Sequence, residues 1–304
     1  MTHTDAARVL VLGATGRTGG AVVRELEALE GRVAPVRASR SAEKVRRWTE
    51  EGKDAVRVDL DDPDTFPAAL DGVDRLFVVT GYTSAMTHQT KSLVDAAEDA
   101  GVGFVVHLGV YTDGRSTDPH FAWHELVERY IAGSRLAWAN IRPHVFMENL
   151  FGINRLVDGR MVVPIGDKRV GWIANDDIAA VAAKVLSEGP GPHAGKDYYL
   201  STDLLSGTEV AETLTTALGR EVPALVVTPG DLRAMAEADP GAAPEGMDAA
   251  YFASTLIAVR QIHEGRLDYA ATTTTTVRDL LGREPLHFAD WARAHRGELL
   301  AQLP

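Results

Sequence analysis

Through the first half of the chain, short apolar, β-branched runs alternate with longer stretches whose apolar positions recur at the helical period. The runs cover 9–12, 33–36, 55–58, 76–79, 104–108 and 136–141, and the helical stretches between them include 18–29, 84–100 and 121–132. Alternation of this kind predicts βαβ units around a parallel sheet. Asp62-Pro63 reads as a helix start, with Asp at the cap and Pro at the first helical position. After Arg142-Pro143 the alternation loosens. A strand over 197–201 with a covering helix over 178–186 is expected to return to the sheet. Helices over 207–218, 229–236 and 288–300 lie among Pro- and Gly-rich connections. The threonine run 272–276 reads as a loop or strand entering the next helix. The expected fold class is α/β: a doubly wound parallel-sheet Rossmann fold over 1–150, joined by 176–201. A smaller C-terminal, substrate-side subdomain is expected from 151–175 and 202–304.

Between the first strand and the first helix stands Leu12-Gly13-Ala14-Thr15-Gly16-Arg17-Thr18-Gly19-Gly20. In a G-x-x-G-x-x-G turn the first glycine permits the tight bend, the second lets a pyrophosphate approach the backbone, and the third lets helix and strand pack closely. The helix N-terminus then offers free N–H groups and partial positive charge to the anion. This spacing at this place predicts dinucleotide binding through Gly13, Thr15, Gly16, Arg17, Thr18 and Gly19. The second strand selects the dinucleotide. An acid at its end suits a ribose 2′-hydroxyl, whereas a 2′-phosphate needs arginine. Here Arg37-Ala38-Ser39-Arg40 follows Val36 with no acid before Glu43, so NADP(H) is favoured over NAD(H), held by Arg37 and Arg40. The same arginines disfavour an S-adenosylmethionine site. No G-x-S-x-G elbow and no Gly-Lys-Ser/Thr are present, which sets aside α/β-hydrolases and P-loop NTPases.

These segments together resemble the NmrA-like branch of the atypical short-chain dehydrogenases/reductases. The resemblance rests on the glycine turn, on Val58-Asp59-Leu60-Asp61-Asp62, and on Gly72-Val73-Asp74-Arg75-Leu76-Phe77-Val78-Val79-Thr80. It is carried further by Ala100-Gly101-Val102, by Ile141-Arg142-Pro143 with Phe146-Met147-Glu148-Asn149-Leu150, by Asp177-Ile178-Ala179, and by the ending Leu281-Gly282-Arg283-Glu284-Pro285 with Phe288-Ala289-Asp290-Trp291-Ala292. It implies that Asp59 and Leu60 border an adenine, that Thr80 and Gly81 line the nicotinamide ribose, and that Pro143 to Asn149 edge a substrate cleft. Short-chain dehydrogenases that reduce carbonyls use a Ser after the fifth strand and a Tyr-x-x-x-Lys pair. Here Gly109, His120 and His124 stand at those places, so the resemblance implies either hydride delivery to a conjugated acceptor or a non-catalytic redox sensor acting through a protein partner.

His120 and His124, four apart, share a helix face; without cysteine or an H-E-x-x-H pattern they are read as proton donors rather than metal ligands. Tyr111 is the third candidate donor. Tyr82, Phe146, Met147, Asn149 and Trp172, with Tyr251 and Phe252, are expected to wall a cleft suited to an apolar or aromatic small molecule. Composition narrows the rest. With 31 basic against 43 acidic side chains the net charge is −12, which repels nucleic acid and anionic membranes. The absence of cysteine excludes disulfides and thiolate chemistry. With no apolar run near 18 residues and a polar start, a cytoplasmic protein is expected, with homodimerisation left open.

Overall fold

The computed structural model describes residues 6–304 apart from 240, 242 and 245. Strands β1 (Ala7–Val11), β2 (Val33–Ser39), β3 (Ala55–Arg57), β4 (Arg75–Val78), β5 (Phe104–Leu108) and β6 (Ala137–Pro143) alternate with α1 (Arg17–Glu27), α2 (Ala42–Glu50), α3 (Phe66–Leu70), α4 (Met86–Asp99) and α5 (Pro119–Gly133). Then come β7 (Val145–Phe146), β8 (Met161–Val163), β9 (Arg169–Ile173), α6 (Asn175–Glu188), α7 (Pro190–His193) and β10 (Lys196–Leu200). The last part holds β11 (Asp203–Ser206), α8 (Gly207–Leu218), β12 (Ala224–Val226), α9 (Pro229–Ala238), α10 (Ala249–His263), α11 (Thr276–Leu281), α12 (Phe288–Ala294) and α13 (Arg296–Leu300).

The main sheet is parallel and runs β10-β6-β5-β4-β1-β2-β3, the doubly wound arrangement expected. Strand order reverses between β1 and β4, where α/β sheets open a crevice for ligands. Successive side chains point to opposite faces, and the core divides accordingly. Val9, Val11, Phe77 and Val106 meet α1 and α6 on one face; Leu10, Leu76 and Val105 meet α3, α4 and α5 on the other. That second face is not wholly apolar. His107 of β5 lies beside Asn140 of β6, which lies beside Asp197 of β10, a polar row crossing three strands beneath α5.

A third core gathers Met147, Trp172, Leu214, Phe288 and Trp291 around α8 and α12. A capping box of Ser206 with Glu209 opens α8, and a second, of Thr228 with Asp231, opens α9 outside that core. The smaller unit is not a clean cut at 202, because Tyr251 of α10 joins the α5 side of the main sheet and Val277 of α11 joins the α1 side. The helix expected over 288–300 is two, broken at His295 with φ −98° and ψ 19°. The threonine run is a connection pinned to the end of β10, where Thr274 N donates to Ser201 O at 2.8 Å. No helix of the described residues is long and apolar enough to cross a membrane.

Candidate functional site

The glycine turn leaves β1 where Leu12 N donates to Phe77 O at 3.1 Å. Gly13 takes φ +64°, a left-handed conformation that glycine adopts without strain. Gly19 is required by space: a Cβ there would stand 2.3 Å from Gly13 O and 2.5 Å from Leu12 O, so only glycine lets α1 settle on the turn. Gly16, the N-cap of α1, is extended at φ −92° and ψ 177°. Any residue tolerates those angles, so its lack of a side chain is spent on the space in front of the helix N-terminus.

A half-buried carboxylate, Glu148, ties this turn to the rest of the molecule. Thr18 Oγ1 donates to Asn175 Oδ1 at 2.6 Å, Asn175 N donates to Glu148 Oε2 at 2.9 Å, and Trp291 Nε1 donates to Glu148 Oε1 at 2.7 Å. Burial raises the Glu148 carboxyl above its ordinary value. Beyond β2 the two arginines differ. Arg37 is buried and its guanidinium is paired with Glu27 of α1; Arg40 is exposed, and among the described residues no carboxylate lies within salt-bridge distance of it. Strand alternation turns the Arg37 side chain toward α1, so of the two expected anchors Arg40 is the one without a carboxylate partner among the described residues. Asp59 is held by Arg57 at 3.4 Å, and Leu60 packs against the α5-side core. Gly81 is exposed just after Thr80.

In front of the turn, at the carboxyl ends of β4, β5 and β6, opens a cleft of about 880 Å³ whose wall includes Arg17, Thr80, Tyr111, His120, Pro143 and Phe146. Asn149, His124, Tyr251 and Phe252 also reach it, and Tyr82 stands at its rim, 52% exposed, edge-on to Tyr251 at 5.5 Å. Thr15 lines a smaller hollow of about 330 Å³ on the far side of Arg17. Met147 and Trp172 do not wall the cleft: both are packed in the third core, and Trp172 Nε1 donates to Leu205 O at 3.3 Å. Met147 opens a turn of 3-10 helix, Met147–Phe151, whose Glu148, Asn149 and Phe151 face the cleft while Met147 is fully buried in the third core.

Tyr111 stacks on His144 in the cleft wall with centroids 3.8 Å apart, and Tyr199 lies 4.8 Å behind it, tilted by 60°. His144 falls within the 143–149 span expected to edge the cleft and lines it, though a lone histidine there carries no pattern that would single it out. His120 and His124 do share a face, 5.5 Å apart, and behind them His107 lies 6.0 Å from His124. Burial lowers all three imidazoles: His120 and His107 to about 4, and His124 well below its ordinary range. Burial also raises Tyr111, which makes it a weaker acid. Among the described residues no cluster of three or more His, Asp or Glu is placed to hold a metal ion.

A Rossmann turn feeding a ring-lined cleft defines a dinucleotide-binding α/β protein. A family model places it further: the NmrA-like family matches residues 5–257, and the chain belongs to that family. An NAD(P)H azoreductase of Xenophilus azovorans is 34% identical over 292 residues, 94% of this chain and 97% of that protein. Among solved structures, an NADPH-dependent quinone oxidoreductase of Escherichia coli complexed with NADPH superposes with a TM-score of 0.79 at 23% identity, covering 95% of this chain and 99% of that one. The triphenylmethane reductase of a Citrobacter species complexed with NADP(H) gives 0.77 at 22% identity, covering 96% and 100%.

Proposed function

We propose that this protein is an NADPH-dependent reductase of conjugated or aromatic small molecules such as quinones, azo compounds, enones or imines. The observation that carries the reading is the continuity of two sites. The turn, shaped by Gly13 and Gly19 for close backbone approach, opens directly into an 880 Å³ ring-lined cleft. The residues fit the cofactor: the N-terminus of α1 receives a pyrophosphate, Asp59 and Leu60 border the adenine, and Arg40 with Arg37 takes the 2′-phosphate. When bound, NADPH supplies a hydride from its nicotinamide. Thr80 and Pro143 hold the ring's position, while Phe146, Tyr111 and His144 orient a flat acceptor and exclude water from one side.

The proton side of the chemistry departs from that of carbonyl-reducing short-chain dehydrogenases. A Cβ at Gly109 would lie 2.4 Å from Glu128 Oε1, so a serine there would displace a buried carboxylate that is paired with Arg142 at 2.6 Å. His120 and His124 occupy the places of the Tyr-Lys pair. A hydride acceptor with an extended π-system tolerates this, because orientation matters more than a strong acid. The test is NADPH consumption against a panel of quinones, azo dyes, enones and imines. Cofactor binding without turnover on every class would favour a cofactor-responsive regulator instead.

Two outcomes follow for the isolated protein. Arg40→Glu is expected to raise the Kd for NADPH about 10- to 100-fold, the worth of a charge-assisted hydrogen bond of roughly 1.5–3 kcal/mol, while leaving that for NADH nearly unchanged. Fluorescence titration with both nucleotides checks it, and equal losses would remove the 2′-phosphate from this loop. The second outcome concerns pH. A histidine donor of ordinary acidity would give a rate falling between roughly pH 6 and 7, but His120 is held at about 4. Single-turnover hydride transfer is therefore expected to stay flat across roughly pH 5.5 to 8; a limb near 6.5 would show that an imidazole titrates in the cleft after all.

A further inference from the structure

We propose that Asp248 is a positioning residue that clasps the loop after β4 to the start of α10, so that a nucleotide settling on the loop also fixes the wall of the cleft that the acceptor meets. The inference rests on the reductase reading above and concerns a carboxylate that reading leaves unused.

Between β4 and α4 the chain runs through 79–85 without regular structure, and Gly81, Tyr82 and Ser84 are exposed. Thr80 and Gly81, assigned above to the nicotinamide ribose, belong to this loop, which leaves the sheet beside the crevice where strand order reverses. Among the described residues, every hydrogen bond that ties 80–84 to a segment other than α4 goes to Asp248. Thr83 Oγ1 donates to Asp248 Oδ2 at 2.8 Å, Ser84 N at 2.7 Å and Ser84 Oγ at 3.0 Å. Asp248 N in turn donates to Tyr82 O at 2.9 Å.

A helix cap needs less than this. The single bond from Tyr251 N to Asp248 Oδ1, at 2.6 Å, already caps α10, which is all that an N-cap side chain ordinarily does. The second oxygen is given wholly to the loop, 164 residues away in the chain. These donors, the Tyr251 amide first, hold the carboxyl down at about 2, so it is a charged acceptor near neutrality, and charge-assisted bonds are the stronger kind. Helix α10 has two working faces. Tyr251, Ser254 and Ala258 are buried on the side that meets α5, while Phe252, Thr255 and Val259 line the cleft. The two tyrosines whose backbones Asp248 holds, Tyr82 and Tyr251, are the pair that meets edge to face at the rim.

An exposed loop with one outside anchor opens at little cost until a ligand gives it further partners. The first turn of α10 is tied to that loop by short, charged bonds, so whatever orders the loop orders Tyr251 and Phe252 with it. The acceptor then meets a finished wall only beside a bound nucleotide, which is where a flat ring must be held for hydride transfer. Asp248 touches no reacting atom; it acts through the backbones of Tyr82 and Tyr251.

The test uses NADP⁺ with menadione, a naphthoquinone, two oxidised partners that bind without reacting. Asp248→Asn keeps a good cap for α10 but turns its amide N–H groups toward Ser84 N–H, donor against donor. Thr83→Val removes a donor from the loop side and leaves Asp248 in place. In the wild type, saturating NADP⁺ is expected to slow hydrogen exchange of the Tyr251 and Phe252 amides at least about 5-fold, and to tighten menadione binding by a similar factor. Quenching of tryptophan fluorescence reads the second effect, since Trp123 lies 6.1 Å from Tyr251. In both variants each effect is expected to fall below about 2-fold while NADP⁺ alone binds within about 3-fold of the wild type. A cap with no positioning role would lower the melting temperature in Asp248→Asn yet leave the nucleotide's effects on exchange and on menadione affinity intact. That result would overturn the clasp, as would a wild type whose α10 amides do not respond to NADP⁺. Failure of the wild type to oxidise NADPH with any acceptor, with the exchange response present and lost in both variants, would overturn the reductase reading alone.

Discussion

Gly16→Val is expected to abolish NADPH binding, with a loss of at least 100-fold in affinity, while leaving the folded protein intact. Valine accepts the extended angles of this position, and its Cβ would stand 3.3 Å from Gly13 O, a contact relieved by a few tenths of an ångström. The fold therefore loses little. The γ-methyls, however, project into the space before the N-terminus of α1, where a pyrophosphate must approach the backbone. Gly19→Ala provides the contrast. Its Cβ would meet two backbone oxygens at 2.5 Å or less, and backbone cannot swing aside, so both the melting temperature and the affinity should fall. Calorimetric titration alongside thermal unfolding separates the two variants. An unchanged Kd in Gly16→Val would reduce the turn to a structural device.

The largest loss of stability is expected from Arg142→Met. Arg142 bridges Glu128 at 2.6 Å and Asp197 at 3.0 Å beneath α5, and Glu128 is almost wholly buried. Removing one member of a buried pair strands the other's charge and costs about 3–5 kcal/mol. The cost should depend on pH in a defined direction. Burial already raises the Glu128 carboxyl, and without the guanidinium it rises further, so the folded state binds a proton that the unfolded chain has released. Stability of the variant should then fall as pH climbs from the ordinary carboxylate range toward neutrality. Denaturant unfolding at pH 5 and pH 8 checks both size and sign; a loss below 1 kcal/mol, or one larger at pH 5, would show the pair to be unimportant.

The sequence made the dinucleotide half legible because its constraints are local. Gly13, Gly16 and Gly19 satisfy needs of one turn, and the strand runs are mostly apolar and short, with the helical period between them. What escaped depends on residues far apart in the chain. Helix α10 is apolar around much of its circumference and lacks the polar stripe that marks an amphipathic helix. Strands β8, β9, β11 and β12 are three to five residues long, too short to show alternation. Arg37 and Arg40 look alike in sequence, yet strand parity turns one toward Glu27 and leaves the other at the surface. Trp172 and Met147 carry the residue types of a substrate pocket, but their partners in the third core, Phe288 beside Trp172 among them, include residues from segments more than a hundred residues away. The polar row beneath α5 was invisible for a related reason: His107, Asn140 and Asp197 are separated by more than thirty and more than fifty residues, and only the parallel register sets them side by side.

Glu148 makes the two halves of the molecule thermodynamic partners. One carboxylate oxygen is spent on the backbone of Asn175, which also receives Thr18 of the glycine turn, and the other on Trp291 near the C-terminus. A carboxylate so shared cannot shift toward one side without releasing the other. Whatever a nucleotide on the turn does to the seating of α12, the seating of α12 must do in equal measure to the affinity for the nucleotide. Substitutions around Trp291 thus belong to the same free-energy cycle as the phosphate cradle.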